Sequence, residues 1–203
     1  EEKSKMSMSD SEKGNALKLL KLASAVQMTL PGVPCIYYGD EAGVCGFTDP
    51  DNRRTYPWGN EDKELIRFHK EIIRIHKENH ELITGAGIIL HKDYNVIAYG
   101  RFLRDNEIIV IVNNNDCDKE IEMRVWQTGI PRESKLTRLI MTDADGFTTD
   151  PEEYEIENGR LRITLPKTSA VVLKGRQEKK EKEEKPDESK KVSPLQKLEF
   201  LLH

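Results

Sequence analysis

The sequence predicts two structural grammars in one chain: an α/β segment over residues 1–81, then an all-β antiparallel sandwich over 82–175. A charged linker and a short terminal helix are expected over 176–203. Three observations carry this reading. Two stretches with apolar residues at helical spacing flank a short, unbroken apolar run. From about Leu82 the apolar pattern changes to period two. Finally, 13 of the 16 residues in 176–191 are charged, in mixed sign, so that stretch buries too little apolar surface to offset chain entropy.

Residues 9–30 read as the first helix. Ser9 and Glu12 have capping-box spacing. Ala16, Leu19, Leu20, Ala23, Val26 and Leu30 keep a 3.6-residue period, and Pro31-Gly32 stops it. Val33–Tyr38, apolar without alternation, predicts a strand covered on both faces, with Pro34 tolerated only near its start. Gly39-Asp40-Glu41 would then lie at the strand's C-terminal end. A polar loop follows, and then a second helix from about Asn60 to Asn79, with Leu65, Phe68, Ile72 and Ile75 as its buried stripe. Helix, buried strand, loop, helix is a slice of an α/β barrel or of a doubly wound sheet.

The all-β part starts with Val96–Leu103, whose residues alternate, and turns at Asp105-Asn106 into the Ile/Val-rich Glu107–Asn113. Further strands are expected over 120–126, 135–141, 153–157, 160–165 and 169–174, with Asn158-Gly159 as a hairpin turn. Short strands with regular turns indicate a sandwich. In the tail, Ser193–His203 places Leu195, Leu198, Leu201 and Leu202 on one side of a short helix that needs a surface to dock on.

Composition narrows the functional classes. The chain has 203 residues, 33% of them charged, with a formal net charge of −4. It carries no basic excess of the kind that nucleic-acid binding requires. No apolar run reaches the roughly 18 residues of a membrane span. Cys35, Cys45 and Cys117 are sparse and lack a CxxC pair, which fits free thiols in a reducing, cytoplasmic compartment; a leader upstream of residue 1 would change that reading.

Chemistry-bearing residues concentrate between Tyr38 and Arg54. Asp40 and Glu41 suggest a glycosidase acid/nucleophile pair, but neighbours leaving a strand diverge, whereas a retaining pair must converge to about 5–5.5 Å. One of them is therefore read as structural. Asp49-Pro50-Asp51-Asn52-Arg53-Arg54 places two carboxylates and two guanidiniums in six residues. Such a set either grips vicinal hydroxyls or merely closes a solvated loop through an Asp–Arg pair. His76 and His80, at i and i+4, lack both the HExxH pattern and a third ligand, and read as a surface helix end. Asp143-Ala144-Asp145-Gly146 lacks the remaining positions of a calcium loop and reads as a plain turn. No metal site or cofactor is expected.

The run Leu22–Trp58, and above all PGVPCIYYGDE over Pro31–Glu41, resembles the α-amylase family, glycoside hydrolase family 13. DPDNRR with Pro57-Trp58 is most similar to neopullulanases, cyclomaltodextrinases and maltogenic amylases, although Thr55 and Tyr56 depart from the usual residues there. NVIAYGRFL and TLPKTSAVVL resemble the same family's C-terminal sandwich.

The resemblance implies that residues 1–81 are the terminal slice of a (β/α)8 barrel: seventh helix, eighth strand and eighth helix. A whole barrel needs about 250 residues. It further implies hydrolysis of α-glucosidic bonds with retention, by three carboxylates on strands that precede residue 1, so the chain alone is expected to be inactive. The family's Asn-His-Asp or Ser-His-Asp triplet does not occur here. Asp49 and Arg53 match glucose-binding loop positions, and Glu41 matches a motif position expected to brace the loop. The implied partners are the α-glucan substrate and the N-terminal part of the barrel; the exposed edge beside the lone barrel strand also favours a protein partner, a homo-oligomer being one option. The other reading is a non-catalytic carbohydrate-binding or interaction module.

Overall fold

A computed structural model of the chain describes residues 8–175. The expected linker and helix over 176–203 lie outside the described residues.

Helix α1 spans Asp10–Thr29 and opens with the expected capping box: the Ser9 hydroxyl accepts from the Glu12 amide, and the Glu12 carboxylate accepts from the Ser9 amide. Helix α2 spans Lys63–Glu78, capped by Asp62, and the single turn α3 spans His80–Ile83. Nine strands follow: β1 (Ala86–Asp93), β2 (Val96–Leu103), β3 (Asn106–Asn113), β4 (Lys119–Arg124), β5 (Ser134–Thr142), β6 (Phe147–Thr148), β7 (Glu153–Glu157), β8 (Arg160–Leu165) and β9 (Ser169–Gly175). They form one antiparallel path, β1-β2-β3-β9-β5-β7-β8-β4, with β6 paired to β5. The path folds over on itself, so that β4, β7 and β8 cover one face of β2, β3 and β9 around a shared core.

Strand alternation makes the central strands serve two cores. Ile108, Val110 and Val112 of β3, with Ala170 and Val172 of β9, face the helices, where they meet Leu22, Phe68, Ile72 and Ile75. Ile109, Ile111, Val171 and Leu173 face the other way, toward Leu136, Leu161 and Ile163. A strand buried on both faces reads as a continuous apolar run, which is why Ile108–Val112 shows no polar alternation.

The C-terminal end of α1 has no basic residue in its last turn, and tertiary contacts satisfy its free carbonyls instead. His76 of α2 bonds to the Met28 carbonyl at 2.7 Å, and the fully buried Arg101 of β2 donates to the Thr29 carbonyl at 2.7 Å. Arg101 also donates to the Gly85 carbonyl, and Tyr99 shares a 2.6 Å hydrogen bond with the Thr29 hydroxyl.

Two expectations are corrected. Val33–Tyr38 is not a strand and is not buried: the segment is irregular, Val33 is 95% exposed, and Tyr37 and Tyr38 are half-exposed. An apolar run becomes a strand only with neighbours to accept its hydrogen bonds, and no strand of the sheet lies beside it. Among the described residues no barrel strand is formed, and the helices cover one sheet face. The β2–β3 turn is Arg104-Asp105 rather than Asp105-Asn106, since Leu103 pairs with Asn106.

Candidate functional site

The loop from Tyr38 to Trp58 joins the exposed apolar segment to α2. Gly39 enters it at φ 92, a left-handed conformation that glycine adopts without strain, and a Cβ there would approach the Val44 side chain at 2.8 Å. Asp40–Ala42 then forms a 3₁₀ turn rather than a strand end. Within it the Glu41 carboxylate accepts from the Gly39 amide at 3.0 Å. Asp40 has its carboxyl pushed up, first by burial and then by the neighbouring Glu41 charge, against a smaller opposing effect of His69.

The six-residue cluster resolves into two separate ion pairs. Arg54 holds Asp51 through two contacts, Nε to Oδ1 at 3.0 Å and Nη2 to Oδ2 at 2.9 Å, and Oδ2 also accepts from the Phe47 amide. The Asp51 carboxylate is 8% exposed, and the Arg54 fork holds it below the usual range. This pair closes the loop. Arg53 and Asp49 form the second pair, Nη2 to Oδ1, with both side chains about two-thirds exposed. The structure thus brings Asp49 and Arg53 together on the solvent side, while Glu41 bonds to Gly39 at the other end of the loop.

Two pairs of aromatic rings belong to the same stretch of chain. Tyr37 and Tyr38 lie 4.8 Å apart and Tyr56 and Trp58 4.5 Å apart, with Trp58 80% exposed. The Tyr38 hydroxyl donates to the Arg54 carbonyl, fixing the ring to the closed part of the loop. Two aromatics two residues apart in a polar loop, Tyr56 and Trp58, are the sequence signal for such rings. Exposed rings beside a guanidinium and a carboxylate can stack on a sugar face and bond to its hydroxyls.

The remaining polar constellations have structural partners. His69 is buried, its Nδ1 donating to the Leu65 carbonyl at 2.9 Å, which leaves Nε2 to accept from the Ser24 hydroxyl at 3.1 Å. With Nδ1 committed to a carbonyl, this is a helix-packing contact and not a nucleophile–base pair. Asp143 accepts from the amides of Asp145 and Gly146, making the plain turn expected there. Among the described residues no group of three or more His, Cys, Asp or Glu side chains is placed to hold a metal ion.

Residues 89–176 match the family model described as α-amylase, C-terminal all-β domain. The sandwich belongs to that domain family. Amylopullulanase of Thermoanaerobacterium thermosulfurigenes is 39% identical over 176 residues, covering 81% of this chain and 9% of that protein. Cyclomaltodextrinase of Thermoanaerobacter pseudethanolicus is 42% identical over 157 residues, covering 76% of this chain and 24% of that protein. The chain therefore spans a tenth to a quarter of these relatives' length. Among solved structures, the α-amylase of Geobacillus thermoleovorans shares the fold with a TM-score of 0.69 at 23% identity, over 80% of this chain and 34% of that one. A match over 80% of the chain runs well beyond residues 89–176 and takes in much of the helical segment.

Proposed function

We infer that the chain is the C-terminal portion of an α-amylase-family glycoside hydrolase that cleaves α-glucosidic bonds of starch-like glucans, maltooligosaccharides, pullulan or cyclodextrins with retention. In this reading α1 and α2 are the seventh and eighth helices of a (β/α)8 barrel, and Val33–Tyr38, irregular on its own, becomes the eighth strand only where the preceding strands of the barrel pair with it. The observation that carries the reading is the exposed run Val33–Tyr38, with Val33 95% exposed and Tyr37 and Tyr38 about half exposed, in a chain that also exposes Leu19 and Leu30. Such a surface is unfavourable in water unless neighbouring strands and helices cover it. The relatives named above supply the context, since each is several times longer than this chain.

Asp49 and Arg53 grip a glucose unit beside the cleaved bond, through an acceptor and a rigid fork of donors. Glu41 braces the loop through Gly39. The nucleophile, acid/base and stabilising carboxylates belong to the preceding strands, so the chain alone does not hydrolyse substrate. Expression of the chain joined to its upstream reading frame should yield turnover of pullulan or cyclodextrin, and the chain alone none. Turnover by the chain alone, abolished in Asp40→Asn or Glu41→Gln, would overturn this assignment.

A further inference from the structure

The sandwich carries a cleft that the 38–58 loop does not touch. β4 pairs with β8 along the whole of Arg160–Leu165, but β7 pairs with β8 only at Ile156–Leu161 and Glu157–Arg160. From Arg162 onward the edge of β8 away from β4 therefore has no strand beside it, and a cleft of about 380 Å³ opens between β8 and the β5–β7 pair. Its floor is apolar, formed by Met141, Ile163 and Val171 at the margin of the sandwich core.

The rim is built. The β5 register shift between Arg138 and Ile140, a bulge of the kind that re-aims side chains, places Arg138 against Glu152. The Arg138 amide donates to the Glu152 carbonyl, its Nε donates to the Asp150 carbonyl, and its Nη1 donates to Glu152 Oε2. The Tyr154 hydroxyl donates to the same oxygen at 2.9 Å. These bonds hold a ring, a fork of donors and a carboxylate in fixed relation.

Charge narrows the ligand. Arg138 is paired with Glu152; Arg162 shares Glu122 with Arg160, and Glu120 and Glu157 add negative charge near Arg162, so the rim has no surplus positive charge to attract an anion. A rim this polar is also unsuited to a purely apolar group. What fits an apolar floor beside an aromatic ring and paired donors and acceptors is a neutral, hydroxyl-rich ring with one apolar face. The geometry points to a second carbohydrate site, in which this cleft takes a short α-glucan segment without cleaving it. That the sugar is an α-glucan rests on the reading under Proposed function; the existence of the site does not.

The test is a titration of the full ¹⁵N-labelled chain with maltohexaose, and with cellohexaose as the β-linked control, read by amide shifts. Saturable shifts are expected over residues 138–141, 152–154 and 162–166, with little response to cellohexaose. Glu152→Gln should weaken the interaction about tenfold, and Thr164→Trp, a change at an exposed rim position, should abolish it by filling the cleft. Arg53→Ala should leave it unchanged. Shifts confined to residues 37–58 would overturn the cleft assignment while leaving the loop reading intact. An equal response to cellohexaose would overturn the α-glucan assignment, and no shifts in either region would overturn both sites. Hydrolysis by the extended enzyme bears on none of these cleft shifts, so the two readings fail separately.

Discussion

Arg101 of β2 donates from Nη1 to the carbonyl of Thr29, the last residue of α1, at 2.7 Å, across 72 positions of sequence. The guanidinium is 1% exposed and is held by backbone carbonyls of Thr29 and Gly85. A cation at a helix C-terminus opposes the negative end of the helix dipole. Burial lowers its pKa, against a smaller opposing effect of Tyr99. The contact also joins the helical segment to the sandwich. Arg101→Met keeps the apolar stem but strands these carbonyls, and should cost about 3 kcal/mol in urea unfolding of the chain. A loss under 1 kcal/mol would mean that water satisfies the carbonyls as well as the guanidinium does.

Glu107 supplies a pH dependence. Burial, with the Asp105 and Glu81 carboxylates adding to it, pushes its carboxyl up from 4.5 to about 7. The folded state thus holds this proton more tightly than the unfolded state does. The contribution is fully present below about pH 4.5 and is lost as pH rises toward 7. Its size is on the order of 1–2 kcal/mol after allowance for solvent screening. Glu107→Gln should flatten the curve of unfolding free energy against pH across that window. A variant whose curve runs parallel to the parent's would assign the dependence to other groups.

The two ion pairs of the 49–54 loop should separate by mutation. Arg53→Ala removes an exposed pair worth at most about 1 kcal/mol, so the thermal midpoint should not move, while KM of the extended enzyme for short oligosaccharides should rise about tenfold. Asp51→Asn loosens the clamp on Arg54 and the Phe47 amide. It should speed hydrogen exchange over residues 47–54, which Arg53→Ala should leave alone. Identical behaviour of the two variants in both measurements would merge the roles assigned to the pairs.

The β7–β8 turn offers a backbone test. Asn158 and Gly159 take φ 51 and 73, and a Cβ on Gly159 would lie 2.8 Å from the Trp126 side chain. Gly159→Ala combines left-handed strain with that clash and should destabilise the chain by about 2 kcal/mol. Asn158→Gly should be neutral to within about 0.5 kcal/mol. Equal midpoints for all three proteins in thermal unfolding would show that Trp126 moves aside at no cost.

Local chemistry was the legible part of this sequence. Ser9 and Glu12 announce the start of α1, the Leu65–Ile75 stripe announces α2, and Asn158-Gly159 announces a hairpin, because each signal acts within a few residues. The β2–β3 turn lies one residue earlier than its Asp-Asn pair suggests, with Arg104 at φ 57, because a ladder of eight paired residues outweighs the small preference of one turn position. β1 has no signal in the sequence, because an edge strand with both faces partly exposed shows no alternation. Val33–Tyr38 misled for the opposite reason: its apolar run specifies a buried strand, and burial depends on neighbours that the sheet does not provide. In the loop the four charges were visible, but Asp49–Arg53 and Asp51–Arg54 have nearly the same spacing, and only the fold assigns one pair to closure and the other to solvent.

The two-sided burial of β3 has a consequence for how the chain tolerates insertions and deletions. In most strands a one-residue slip is opposed because it sends polar side chains inward. In Ile108–Val112 every side chain is apolar, so polarity does not oppose a slip, and a single added or deleted residue would exchange the contents of the two cores at once. Alignment of the strand is left to its ends: the tight turn at Arg104-Asp105, and Asn113, whose side-chain amide reaches the carbonyls of Cys117 and Pro166. Asn113 thus acts as an index mark for the Ile108–Val112 run, which carries no polar mark of its own.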